Sequence, residues 1–257
     1  MKYITSRDNP EFKKLLKLVS DARETREQNR TLIDGPHLVA TYRQRIGLPE
    51  TLLVSESGVE QAEIKALIDA HTGTDVLVFK DSLFKRLSGV DSPVGIAAMI
   101  GVPEAPSPFT SGSCVLLDAI QDAGNVGSIL RSTAASGIRD IFLGQGCANA
   151  WSPRVLRAAQ GAHFRMHIHQ PVDLAKMLAS YEGQSVATVV SGGESLFQVP
   201  PHGNIAWIFG SEGQGVSPAL LSRATRKVMI PMAVETESLN VAAAAAICLF
   251  AAAKHIQ

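Results

Sequence analysis

CVLLDAIQDAGNVGSILRSTAASG, residues 114–137, decides how this chain folds. Its opening Cys-Val-Leu-Leu is an uninterrupted apolar run, which reads as a strand buried on both faces. Asp122, Gly124 and Asn125 then make a turn. Asn125 is placed to cap a helix over 125–135, and Gly137 ends it. A buried strand that passes through a polar turn into a helix is the start of a strand–helix–strand unit, which builds parallel sheets.

The pattern continues toward the C-terminus. Strands are expected at 140–143, 165–169, 186–190, 205–209 and 227–230, and helices at 153–160, 174–181 and from about Asn240. The fold class is therefore α/β, with a mostly parallel sheet covered on both faces. Toward the N-terminus, VPEAPSPFTSGS at 102–113 carries three prolines and reads as a linker. Before it, Phe12, Leu15, Leu16, Leu18 and Val19 recur at helical spacing, giving an amphipathic basic helix over 10–29. Short strands at 31–34, 51–55, 76–79 and 95–100 alternate with helices from His37, at 60–70 and at 81–86. The expected division is a small α/β domain at 1–101, a linker at 102–113, and a larger domain at 114–257.

Composition narrows the classes. The 257 residues carry 24 basic and 24 acidic side chains, so global charge does not hold this protein to nucleic acid. Residues 1–45 are less balanced, with ten Lys/Arg against six Asp/Glu. Such an excess is either a solvated helix face or a surface for phosphates. Cys114, Cys147 and Cys248 match neither a disulfide framework nor a zinc pattern, and no metal is expected. The N-terminus has no apolar signal core, and the alanine-rich stretch 241–254 is too short for a span. These features point to a cytoplasmic protein with no membrane role.

Three separated motifs carry the chemistry. The first is QDAGNVGSILRSTAASG (121–137), where Arg131 projects from an otherwise apolar helix six residues past Asn125. Alone, that arginine is as readily a structural ion pair or an exposed edge position as a functional cation. The second is IFGSEGQGVS (208–217), a strand entering a turn with Gly210, Gly213 and Gly215, and with Glu212 between them. Glycines let a ligand or a second backbone approach. The turn lacks the lysine of a phosphate-binding loop and is no dinucleotide fingerprint. The third is IPMAVETESLNVAAAAA (230–246), where Ser238 or Asn240 can cap the last helix.

Together, in this order, the three resemble the motifs of the SpoU/TrmH family of RNA ribose methyltransferases, within the SPOUT superfamily. The resemblance spans about residues 114–257. The opening ITSRDNPEFKKL and the stretch LIDGPHLV resemble, more loosely, the L30e-like substrate-binding domain often fused to that family. Two departures stand out. Ala123 occupies a position where the family commonly has proline, and Val234-Glu235-Thr236-Glu237 replaces a loop where glycine is frequent.

The resemblance implies a trefoil-knotted catalytic domain, S-adenosylmethionine (SAM) as methyl donor, and a homodimer with the final helix in its interface. The backbone near Gly210, Ile230 and Leu239 would hold the cofactor. Asn125, Arg131, Glu212, Ser238 and Asn240 match the family's functional positions. The implied reaction is methyl transfer to a ribose 2′-hydroxyl. Arg131 has been assigned as the base in this family, but a guanidinium stays protonated in proteins. A role in clamping a phosphate and favouring the alkoxide suits it better, with Glu212 or an RNA phosphate accepting the proton. The fused domain favours large-subunit (23S-type) ribosomal RNA over transfer RNA, with no DNA substrate. The competing readings are a transfer-RNA ribose methyltransferase, a base-nitrogen methyltransferase of the same superfamily, and a non-catalytic RNA-binding or ribosome-assembly factor. Erosion of the motifs would mark the last, and all five polar positions are intact. A nicotinamide oxidoreductase would need a strand–GxGxxG–helix unit that the sequence lacks.

Overall fold

The structure, a computed structural model, describes residues 1–106 and 112–253. The expected linker at 102–113 lies partly outside the described residues. The chain divides into two compact units, Met1–Pro103 with Trp151–Phe164, and Glu104–Ala150 with Arg165–Gln257.

The first unit contains β1 (Lys2–Ile4), α1 (Pro10–Ser20), α2 (Ala22–Gln28), β2 (Arg30–Asp34), α3 (Pro36–Arg45), β3 (Thr51–Ser55), α4 (Glu56–Val59), α5 (Ala62–Ala70), β4 (Asp75–Phe79), α6 (Asp81–Ser88) and β5 (Ile96–Gly101). Its sheet runs β1-β4-β3-β5-β2. The first three strands are parallel, and β5 is antiparallel to both neighbours. The helix expected over 10–29 is broken at Asp21. That residue takes an extended conformation (φ −125°, ψ 111°), and its Oδ1 accepts the Arg23 N–H at 2.8 Å to cap α2. Aspartate competes for backbone N–H groups and so favours a cap over a helix interior. The apolar spacing still did its work: Phe12, Leu15 and Leu18 of α1 are buried against Ile4, Leu53, Phe79 and Phe84.

Five of the ten cations in 1–45 are paired, Lys2, Lys13, Lys17, Arg23 and Arg30 with Glu11, Asp8, Glu24, Glu27 and Glu50. Arg7, Lys14, Arg26, Arg43 and Arg45 form no ion pair among the described residues.

The remaining elements are β6 (Cys114–Asp118), α7 (Ala123–Ala135), β7 (Asp140–Leu143), α8 (Pro153–Ala159), β8 (His167–His169), α9 (Leu174–Ala179), β9 (Gln184–Thr188), β10 (Glu194–Ser195), β11 (Ile205–Gly210), α10 (Pro218–Leu221), β12 (Arg226–Met229) and α11 (Val241–Ala252). Helix α8 belongs to the first unit, an excursion with no counterpart in the expected division. Within that unit the Thr31 hydroxyl donates to the Trp151 carbonyl at 2.6 Å, and Arg157 binds Asp34 at 3.1 Å. The second unit's sheet runs β10-β12-β9-β11-β6-β7-β8, with every pairing parallel. Its central strands read as unbroken apolar runs because both faces are covered. All six residues of β11 are buried. One face carries Leu116, Phe142 and Ile208 against Leu174 and Leu178 of α9. Helix α11 packs against α7 and β11. The chain adds β7 and β8 on one side of β6, then crosses to build the other side through β9 and β11. The order therefore reverses between β6 and β11, and ligands of open α/β sheets bind beyond the strand carboxyl ends at such a point.

Candidate active site

The carboxyl ends of β6 and β11 are neighbours, with Asp118 in register with Gly210. The loops that leave them bring the motif residues together.

The turn after β11 is closed by the Gly215 N–H donating to the Ser211 carbonyl at 2.8 Å. It folds back so tightly that a Cβ on Gly210 would lie 2.0 Å from the Gly215 carbonyl carbon, a distance no side chain tolerates. Gly215 itself sits at φ +66°, the left-handed region that glycine enters at no steric cost. Nothing crowds Gly213. Two of the three glycines thus have a steric reason to be there.

Helix α7 begins at Ala123, two residues earlier than expected, and its cap is Asp122 rather than Asn125. The Asp122 Oδ1 accepts the Asn125 N–H at 2.8 Å. That correction frees the Asn125 side chain. Its Nδ2 donates to the Glu212 carboxylate, and its Oδ1 accepts from Asn240 Nδ2 at 3.0 Å. Asn240 in turn caps α11, its Oδ1 accepting from Ala242 and Ala243 N–H at 2.9 and 3.3 Å. One chain of three side chains therefore ties the starts of α7 and α11 to the glycine turn. Each amide orientation is fixed by what it must donate and accept.

Beside this chain is a cleft of about 370 Å³. Gly210, Ile230 and Leu239, the expected cofactor positions, all line it, as do Glu212 and Ser238. Asn125, Asn240 and Arg131 do not line it. Arg131 is exposed on α7 and has no ion pair among the described residues, so the reading of it as a structural ion pair falls away. The sequence reading missed Thr188 and Val190, at and beyond the end of β9, and Met232, all of which line the cleft. Their only signal was position, at carboxyl ends of strands whose order was unknown. It also missed Asp118, whose Oδ2 accepts the Ser217 N–H at 2.7 Å and pins the far end of the glycine loop to β6. The next residue, Ala119, has φ 55°, a left-handed conformation that costs a non-glycine about 1 kcal/mol or more. Among the described residues no group of His, Cys, Asp or Glu is placed to hold a metal ion, and no helix is long and apolar enough to cross a membrane.

The cleft fits SAM. Its apolar lining suits a flat base, and the missing Cβ at Gly210 keeps the turn compact against the strand end.

Comparison with known proteins identifies the family. The SpoU rRNA Methylase family matches residues 112–250, and the MRM3-like substrate binding domain matches residues 9–98. The chain is similar to the 23S rRNA (guanosine(2553)-2′-O)-methyltransferase RlmP of Bacillus subtilis, 34% identical over 257 residues, covering 97% of this chain and 98% of the relative. It is also similar to the mitochondrial rRNA methyltransferase 3A of Danio rerio, at 30% identity, with 87% of this chain and 63% of that one covered. Among solved structures, the AdoMet-bound rRNA methyltransferase from Sinorhizobium meliloti superposes with a TM-score of 0.85 at 25% identity, covering 100% of this chain and 98% of the other. On the strength of these matches, and of a site built from the same three motifs, the chain belongs to the SpoU rRNA methylase family.

Proposed function

We propose that this protein methylates a ribose 2′-hydroxyl of large-subunit, 23S-type ribosomal RNA with SAM as donor. The observation that carries the reading is the Asn240–Asn125–Glu212 chain, which joins all three motifs beside the cleft. The relatives named for ribosomal RNA support the choice of substrate, and the bacterial one favours a cytoplasmic setting.

SAM supplies a methyl group made electrophilic by its sulfonium centre. The cleft residues Gly210, Ile230 and Leu239 would hold the donor. The protein's own task is to position the ribose and relieve its 2′-hydroxyl of a proton, since the neutral hydroxyl is a poor nucleophile. Arg131 carries an uncompensated positive charge and clamps a backbone phosphate, which also favours the developing alkoxide. Glu212, held by Asn125, or the RNA phosphate accepts the proton. Ser238, which lines the cleft from the loop before α11, would hydrogen-bond the ribose or hold the motif loops together. Positioning of this kind contributes several kcal/mol to barrier reduction, within the ~7–11 kcal/mol known for well-oriented reactants.

The active unit in this reading is a homodimer. Helix α11, VAAAAAICLFAA, is apolar on all sides, yet only Val241, Ala245, Cys248 and Leu249 are buried, while Ala243, Phe250 and Ala251 are exposed. A helix apolar all round is stable when covered all round. The first unit reads the RNA, with Arg7, Lys14, Arg26, Arg43 and Arg45 available to phosphates.

Incubation with labelled SAM, total ribosomal RNA and total transfer RNA, followed by nuclease mapping, tests the reading. Label in a nuclease-resistant ribose-methylated dinucleotide from large-subunit RNA is the expected result. Label confined to transfer RNA or to a base, or no label at all, overturns it.

A further inference from the structure

We propose that the second unit holds the backbone of its RNA substrate at a second place, a cationic patch of Arg139 and Arg165 away from the reacting nucleotide. The inference rests on the reading of the protein as an RNA methyltransferase. Arg139 immediately precedes β7, and Arg165 lies just before β8. The two strands are parallel neighbours, with Asp140 in register with His167, and the His167 N–H donates to the Arg139 carbonyl at 2.7 Å. The two arginines therefore leave the sheet at adjoining positions of its amino-terminal end. Strand β8 ends the sheet among the described residues.

Both arginines are exposed, and neither forms an ion pair with a described residue. The acid that sequence places next to them is engaged elsewhere. Asp140 turns its Oδ1 to His167 Nδ1 at 3.1 Å and His169 Nε2 at 3.4 Å, and only 17% of its side chain is exposed. The two imidazoles thus occupy the Asp140 carboxylate, and the guanidiniums keep no ion pair among the described residues. The contrast lies within the same unit, where Arg226 is closed off by Glu194. Forked guanidinium donors without a protein acceptor match phosphate oxygens.

The patch also lies within reach of Arg131. From Arg131 the helix continues four residues to Ala135, and four more lead to Arg139. At helical rise and full extension that path spans at most about 20 Å. One RNA strand can therefore touch both Arg131 and the patch. An RNA whose only contacts were at the substrate-binding unit and the target ribose would not need these charges.

The test is binding of a large-subunit ribosomal RNA transcript across a potassium chloride series, for the full-length protein and for R139A/R165A. Each lost phosphate contact lowers the log–log salt slope by about 0.7–0.9, so the double variant's slope should fall by roughly 1.5. SAM affinity and melting temperature should not move. R139K/R165K should keep the wild-type slope, because counterion release follows charge. An unchanged slope and RNA affinity in R139A/R165A overturns the patch. So does a loss of SAM affinity or melting temperature, which would mark the arginines as structural. Wild-type protein that binds the transcript with no salt dependence would instead sink the RNA reading beneath it.

Discussion

Asn240 does two jobs with one amide: its oxygen caps α11 and its nitrogen orients Asn125. Asn240→Asp separates them. An aspartate still accepts from Ala242 and Ala243, so the cap survives. It cannot donate to Asn125 Oδ1, and it sets a second carboxylate near Glu212. The expected outcome is a melting temperature within about 2 °C of wild type, an order-of-magnitude estimate for a surface change, with turnover at least tenfold lower, or about 1.4 kcal/mol in the barrier. Wild-type turnover in that variant would show that the chain of amides is not needed. Gly210→Ala acts on the donor side. With 2.0 Å between the new Cβ and the Gly215 carbonyl, the turn must open, and SAM affinity measured by calorimetry should fall by about tenfold or more. Arg131→Ala should abolish methyl transfer while SAM binding persists, because Arg131 is exposed and does not line the cleft. A variant that kept turnover would remove Arg131 from the mechanism.

At the scale of elements, α11 makes the sharpest statement. Its cap and its alanines were legible in the sequence, but which of its faces lay open was not, since an all-apolar helix has no preferred side. Phe250→Glu should convert the proposed homodimer to a monomer in sedimentation equilibrium, and a wild type that sediments as a monomer would overturn that proposal. The strand–helix order of the second unit was readable because buried parallel strands are continuous apolar runs, as in β6 and β11. Local competition was harder to read. Asp122 and Asn125 are both good caps three residues apart, and only the structure shows that the aspartate takes the backbone and leaves the asparagine side chain to donate to Glu212. Asp21 broke a helix that apolar spacing alone carried through to 29. Strand β1 buries a single side chain, Ile4, and so offered no alternation to see.

For the whole molecule, the first unit's long continuous stretch stops at Pro103, but Trp151–Phe164 also belongs to it. Trp151, Val155, Leu156 and Phe164 are buried, and the segment that carries them packs within the first unit. No single sequence reveals such a return, because the segment's apolar spacing fits burial against either unit. The consequence is practical. Removing residues 1–101 to test RNA recognition also strips the cover from that segment, so lost RNA binding in the truncated protein would have two causes. A point change in the intact chain avoids this. Arg157 donates to Asp34 at 3.1 Å and to the Ser88 carbonyl at 3.0 Å, and the Ser88 hydroxyl donates to the same Asp34 oxygen at 2.6 Å. The Asp34 side chain is only 13% exposed. Arg157→Ala leaves that carboxylate with the serine alone, a loss of about 2 kcal/mol for a poorly solvated charged group. In a unit of this size that corresponds to a drop of roughly 5–10 °C in melting temperature. Differential scanning calorimetry of the intact protein should show it. If the segment's anchoring helps the first unit keep its RNA-reading shape, RNA affinity should fall in the same variant while SAM affinity holds. A variant that melts as wild type would show that Arg157 does not fasten the segment.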